Sequence, residues 1–375
     1  MNPFKKQGKG RKAVWIIGAA VLIGALSITA LAWYGRVMMR KIPSLSFQEA
    51  LDYTLHNSPD ACITVGLVKD GGTSFTVYGS NSEELPPALH TYEIGSLTKT
   101  FTAALVGRAV EEGRIQLDEP IDSYIPLPGG NTYPTVAELL THTSGYPPYY
   151  FEWPMASNFL MRKNAFYGVS KDMLRKSLAV DRPDQAHEFL YSNFGYAALG
   201  LILEEVYGED YTTLMDGFLA DELHLEHTRL SDRSGDLNDY WDWDPDDAYV
   251  STGAILSDID DMLAYARMQL AEEGVFGSAH KELERIDATT KENALAGIRL
   301  DAIGMAWIID EEHEVIWHNG GTDHFNSYLG FDPASDTAVV ILSNLPLSYR
   351  IPATVLGAKL MEESRSGRKG PGWDE

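Results

Sequence analysis

Ser96 and Lys99 stand three residues apart at the head of an apolar run, in Tyr92-Glu93-Ile94-Gly95-Ser96-Leu97-Thr98-Lys99-Thr100. On a helix, positions i and i+3 share a face, so the lysine amine lies one turn above the serine hydroxyl, within hydrogen-bonding reach. A helix N-terminus adds partial positive charge and free N–H groups beside that oxygen, which favours a developing anion. Burial among Thr98, Thr100, Phe101 and Thr102 disfavours the charged lysine and suits it to act as a base. Together these features describe an activated nucleophile. A capped helix with an incidental lysine carries the same pattern, and S-x-x-K is common by chance, so the pair needs partners elsewhere.

Two further stretches offer such partners. Tyr191-Ser192-Asn193 precedes a helical run through Leu199, Leu201, Ile202 and Val206 to Gly208, where the tyrosine and asparagine side chains can project into a shared site. A tyrosine titrates near ~10, and a neighbouring ammonium favours its phenolate. His318-Asn319-Gly320 lies on a β-rich run near the end of the chain. His142, in Leu139-Leu140-Thr141-His142-Thr143-Ser144-Gly145, invites a serine–histidine–aspartate triad. We set that reading aside, because Lys99 already supplies a base and polar side chains before a turn more often bond the backbone. The aromatic and proline-rich residues 146–154 suit either a cleft wall or core packing under a loop.

The elements that must position these residues follow from periodicity. Leu97, Phe101, Ala104, Leu105 and Ala109 recur at helical spacing, with Gly113 as C-cap, so Ser96 should open a helix. Residues 62–68 and 73–78 are β-rich and joined by Lys69-Asp70-Gly71-Gly72, a hairpin signal. Residues 304–309, 314–317, 327–331 and 337–343 read as an antiparallel meander. Helices are expected at 47–56, at 136–140 capped by Thr135, at 253–270 and at 351–362. Strands at both ends with helices between predict an α+β fold, in which one antiparallel sheet is formed by N- and C-terminal strands flanked by helices, with an inserted helical lobe.

The chain has 375 residues, 44% of them hydrophobic, enough for a packed enzyme core. Lys5, Lys6, Lys9, Arg11 and Lys12 precede the uncharged stretch 13–33, long enough to span a bilayer as one helix. Three positive residues (Arg36, Arg40, Lys41) follow it, so the positive-inside rule puts the N-terminus in the cytoplasm and the rest of the chain outside. A cleaved signal peptide ending at Ala30-Leu31-Ala32 is the rival reading. The expected organisation is a basic cytoplasmic segment 1–12, a transmembrane signal anchor 13–33, a linker 34–46, a catalytic domain 47–363 and a polar tail 364–375.

Residues 1–41 hold eight Lys or Arg and no acid, which leaves 22 bases against 54 acids in the remainder, a net of −32. Such a surface disfavours nucleic acid and anionic membrane surfaces. Cys62 is the sole cysteine, so neither an internal disulfide nor a cysteine metal cage exists. Within 232–247, Asp242, Asp244 and Asp246 hint at a calcium loop, but its glycine and terminal glutamate are missing, and a solvated acidic loop that could favour cationic substrates is the better reading. His142, Asp242 and His318 are the candidate ligands of a metallohydrolase, without any HExxH or cysteine-rich spacing.

Ser96-Leu97-Thr98-Lys99, Tyr191-Ser192-Asn193 and His318-Asn319-Gly320, in that order, resemble the three motifs of the serine β-lactamase and penicillin-binding-protein superfamily, in its class C-like branch. The likeness extends to Leu139–Gly145 and Gly320-Gly321-Thr322, and covers about residues 47–363. It implies Ser96 as nucleophile, Lys99 and Tyr191 sharing the proton transfers, and Asn193, His318, Asn319 and Gly320 as substrate-binding residues. The oxyanion hole would be the backbone N–H groups of Ser96 and Gly321. No cofactor and no metal are implied. Histidine replaces the usual lysine at 318 and asparagine the usual threonine at 319, which puts carboxylate recognition in doubt, and Asp323-His324 stand where relatives often show Pro-Gly. The expectation is a membrane-anchored extracytoplasmic serine hydrolase acting through an acyl-enzyme on a small-molecule or peptide substrate, cell-wall-derived ones included, of the D-Ala-D-Ala carboxypeptidase or esterase type rather than an efficient β-lactamase. The alternative is a non-turnover penicillin-binding-type sensor or scaffold for cell-wall peptides.

Overall fold

A computed structural model of the chain describes residues 42–180 and 187–365. The basic segment 1–12, the apolar stretch 13–33, most of the linker and the end of the tail lie outside the described residues. Among the described residues, no helix is long and apolar enough to cross a membrane. Contacts divide the chain into two units, Met1–Ser46 and Phe47–Glu375, and the fold described below is that of the second.

Its main sheet has nine strands in the order β3-β2-β1-β12-β11-β10-β9-β8-β7. The hairpin of β1 (Ile63–Lys69) and β2 (Gly72–Tyr78) turns at Asp70 and Gly71, both at positive φ, and the two-residue β3 (Glu84–Leu85) closes that edge. β4 (Tyr92–Glu93), β5 (Arg229–Leu230) and β6 (Ile255–Ser257) form a separate small sheet in the order β4-β6-β5. The C-terminal strands are β7 (Glu284–Arg285), β8 (Ala302–Ile303), β9 (Ile308–Asp310), β10 (Val315–Gly321), β11 (Asn326–Asp332) and β12 (Thr337–Ser343). β1 pairs antiparallel with β12 from Ile63↔Ser343 to Lys69↔Thr337, so the two ends of the domain meet at the centre of the sheet.

Both faces of that centre are covered, which is why all seven residues of β12 are buried. Gly66 pairs with Val340, and on that face the helix Ile259–Ala271 approaches so closely that a Cβ on Gly66 would meet Ile259 Cδ1 at 2.7 Å. Tyr328 pairs with Ile341, one residue along and therefore on the other face, where the helix Ala353–Arg365 brings Gly357 against its ring. Between β4 and β5 run the helices of the inserted lobe: Thr98–Glu111, Val136–Leu140, Trp153–Met161, Lys171–Val180, Asn193–Tyr207 and Tyr211–Gly217. Every residue from Thr98 to Gly107 is buried, so this helix is the lobe's centre rather than a surface helix.

The expected hairpin and most of the expected strands and helices are present with small shifts of boundary. Two expectations fail: the run 304–309 is not one strand but mostly the turn between β8 and β9, with only Ile308 and Ile309 on a strand, and the run 253–270 is not a single helix. Val250–Gly253 is a short helix, Ile255–Ser257 is strand β6, and a new helix starts at Ile259 behind Asp258, whose side chain accepts from the Asp261 N–H at 3.0 Å. The short apolar run satisfies either periodicity, and pairing with Tyr92–Glu93 and Arg229–Leu230 selects the strand. Residues 271–293, polar and irregular in sequence, include the short helix Val275–Ala279, β7 and the start of the helix Lys291–Leu295.

Candidate active site

Gly95–Leu97 form a single 3-10 turn that leads directly into the helix Thr98–Glu111, so Ser96 sits at the head of a helix as its spacing implies. Ser96 is half-buried, whereas Lys99 is fully buried. Lys99 Nζ lies 3.0 Å from Ser96 Oγ and donates to the Thr252 carbonyl at 2.7 Å. Burial holds its pKa well below the ordinary lysine value, which favours the neutral amine. The ring of Tyr191 lies 5.1 Å from Nζ and that of Tyr196 5.7 Å away.

The phenol of Tyr191 faces Ser96, so the second stretch joins the first at that serine. Its ionisation differs from expectation. Burial raises the Tyr191 pKa above the ordinary phenol value and outweighs the Ser96 contact, so the residue stays a phenol and not a phenolate. Asn193 opens the helix Asn193–Tyr207, half-buried, behind the N-cap Ser192, whose Oγ accepts from the Gly195 N–H and donates to the Pro147 carbonyl. The segment 146–154 divides between its two readings. Tyr146 is buried against Phe194, ring centroids 4.9 Å apart, while Phe151 and Trp153 are exposed.

The third stretch arrives on β10. Of β10, only Val315, Ile316 and Trp317 pair with β9, so His318 to Gly321 have a strand partner, β11, on one side alone. That end of β10 presses on the serine turn. A Cβ on Gly320 would stand 1.9 Å from the Ile94 carbonyl oxygen, and one on Gly95, whose φ is +52, would stand 2.5 Å from the Gly321 nitrogen. Only glycine fits either place, and the two backbones whose N–H groups would form an oxyanion hole are thereby brought into contact. Ser327 Oγ secures the turn by donating to Ile94 O at 2.7 Å.

His318 is buried, and its Nδ1–H donates to the Asn319 carbonyl at 2.7 Å. Burial, reinforced by Lys99, pushes its pKa down to about 3, so it presents a neutral imidazole where a lysine would present a cation. Its ring lies 6.5 Å from that of Tyr191. Asn319, half-exposed, follows it on the strand. His142 is also buried and near Lys99 and His318, but its ring bonds the backbone at Ser192.

The acidic segment 232–247 is only partly free. Asp242 is paired with Arg233 at 2.5 Å and faces Lys163 at 3.7 Å, and Asp247 is buried, accepting from the Gly168 and Asp244 N–H groups. Those cations offset the charge of Asp242, while Asp244 and Asp246 are exposed. Among the described residues, the His, Asp and Glu side chains close enough to hold a metal ion are His227, Asp258 and Asp261, none of which is a metal candidate from the sequence.

Two contributors carry no sequence signal. Thr252 acts through its carbonyl, and a carbonyl has no residue type. Glu93 is a buried carboxylate that accepts from Thr322 Oγ1 at 2.6 Å and from the Trp241 N–H, tying the strand before Ser96 to the residue after Gly321 and to the acidic segment. Burial raises its pKa to about 7.

Known proteins resemble this chain in sequence and in fold. Protein flp of Staphylococcus aureus (strain MRSA252) is 25% identical over 285 residues, 69% of this chain and 53% of that protein. The chain thus spans about half the length of the flp proteins it matches. A β-lactamase of Pseudomonas fluorescens is 24% identical over 327 residues, 76% of this chain and 88% of that one. The crystal structure of a β-lactamase/D-alanine carboxypeptidase from Yersinia pestis superposes with a TM-score of 0.68 at 16% identity, over 88% of this chain and 99% of its own, which shows a shared fold. Residues 56–358 match the beta-lactamase family as a whole, and the chain belongs to that family.

Proposed function

We propose that this protein is a membrane-anchored, extracytoplasmic serine hydrolase that forms an acyl-enzyme on Ser96 with a peptide, amide or ester substrate. The observation that carries the reading is the buried amine of Lys99, 3.0 Å from Ser96 Oγ and favoured in its neutral form. In the forward step Lys99 takes the Ser96 proton as Oγ bonds to the substrate carbonyl carbon, and the carbonyl oxygen gathers charge between the N–H groups of Ser96 and Gly321. Collapse breaks the bond to the leaving group, which receives a proton through Lys99 and the Tyr191 phenol. Water, deprotonated by the same pair, then displaces Ser96 and releases the acid. Tyr191 as a phenol supports Lys99 as the primary base.

The neutral His318 supports an ester or D-peptide substrate over a β-lactam, since it offers no fixed cation to a substrate carboxylate. Membrane anchoring rests on the uncharged stretch 13–33 and the five basic residues before it. Incubation with a fluorophosphonate or a penicillin, followed by intact mass and peptide mapping, tests the mechanism. One adduct on Ser96 is expected, and folded protein unlabelled by both reagents would sink it. Repeated turnover of a p-nitrophenyl ester or a D-Ala-D-Ala peptide would exclude the sensor alternative.

A further inference from the structure

His142 takes no part in the reaction above, yet the chain holds it under strain. Its φ is +58, in the left-handed region that a residue with a Cβ adopts at a cost. Its surroundings are the chain on both sides of Tyr191. The His142 carbonyl accepts from the Leu190 N–H at 2.9 Å, and its Nδ1 accepts from the Ser192 N–H at 3.1 Å. The imidazole lies 4.3 Å from the Tyr191 ring and 5.0 Å from that of Tyr196, whose hydroxyl donates to the Leu140 carbonyl at 2.9 Å.

We infer that His142 is a positioning residue, whose two hydrogen bonds to the neighbours of Tyr191 and whose ring against the Tyr191 ring set the place of the phenol beside Ser96. This rests on the reading of Ser96 as nucleophile and Tyr191 as its proton partner. Because Nδ1 accepts, the ring carries its single proton on Nε2, and a second proton would break the bond to Ser192. The titratable groups that face it are Lys99, His318, Tyr191 and Tyr196. Burial, with Lys99 and His318 adding to it, holds the imidazole well below its ordinary pKa, so the bond survives across the neutral range. The negative of this arrangement is informative too: with its Nδ1 committed to Ser192, the ring is a support for the phenol and not a base for Ser96.

His142→Leu and His142→Asn in the full-length protein separate positioning from packing. The asparagine Oδ1 can accept from Ser192 N–H, and asparagine tolerates positive φ. With a p-nitrophenyl ester, His142→Leu should lower kcat on the order of 10- to 100-fold with little change in KM, as a small misplacement near the chemistry does. His142→Asn should recover most of that loss. Wild-type kcat in His142→Leu would overturn the inference, as would equal loss in both variants when both melt like the wild type. If His142→Leu does not fold, 15N-histidine spectra of the wild type, assigned with His142→Asn, decide the matter. An imidazole locked with its proton on Nε2 from about pH 5 to 8 is expected, and one protonated on Nδ1 or titrating near about 6.5 would overturn it. If wild-type Ser96 takes no label, the proposed function fails by itself, and the tautomer measurement still tests whether His142 Nδ1 holds the Ser192 N–H.

Discussion

Gly95→Ala is the substitution that most directly tests the proposed roles of Ser96 and of the strand that carries Gly321, and how the two are held together. Gly95 has φ +52, and an alanine there costs about 1–2 kcal/mol in backbone strain alone. Its methyl would lie 2.5 Å from the Gly321 nitrogen and 3.0 Å from the Gly321 carbon and oxygen, all of them backbone atoms that no rotamer change can move aside. Relief requires the strand to retreat by about 1 Å, which carries the Gly321 N–H out of hydrogen-bond range of a substrate oxyanion. Loss of one such donor is worth about 3 kcal/mol in the transition state, so acylation of Ser96 should slow on the order of 100-fold. Gly71→Ala is the control: its φ is +77 with nothing within 4 Å of the added methyl, so it carries comparable strain without the collision. Acylation by a p-nitrophenyl ester, followed by rapid-mixing absorbance, and thermal melting of both variants give the comparison. The reasoning fails if Gly95→Ala acylates within about threefold of the wild type, or if Gly71→Ala slows acylation as much.

Other expectations follow from the same geometry. Lys99→Met should reduce acylation by about 10²- to 10⁴-fold, and in the wild type kcat/KM should rise with pH along a limb set below the ordinary lysine pKa, because only the neutral amine accepts the proton; a pH–rate profile reads both. Glu93 keeps its proton in the fold up to about 7, against 4.5 for a free carboxyl, so stability should be greatest below 4.5 and fall as pH rises to about 7, by about 3 kcal/mol from this group. Urea titrations of Glu93→Gln against pH should lack that decline. Ser192→Ala removes the N-cap of the helix that carries Asn193 and should cost about 1 kcal/mol in denaturant unfolding.

Much of the scaffold was legible because its signals are local. The hairpin β1–β2 follows from alternation and an Asp-Gly turn, and the helix Val136–Leu140 starts where Thr135 and Glu138 form a capping box. The three stretches with Ser96, Tyr191 and His318 were recognisable by residue type and order. What was missed depends on neighbours far along the chain. Strand β6 hides in an apolar run until Tyr92–Glu93 and Arg229–Leu230 pair with it, and Asp242 loses its free charge to Arg233 and Lys163.

The sequence by itself determined which groups are available for chemistry and that Ser96 and Lys99 share a helix face, because a spacing of three residues allows little else. The tertiary structure decided what each group is. It buried Lys99 to favour a neutral amine, kept Tyr191 a phenol, lowered the His318 pKa to about 3, and set the His142 ring against that of Tyr191. Protonation state depends on desolvation and on charges brought close by folding, and neither is written in the order of residues along the chain.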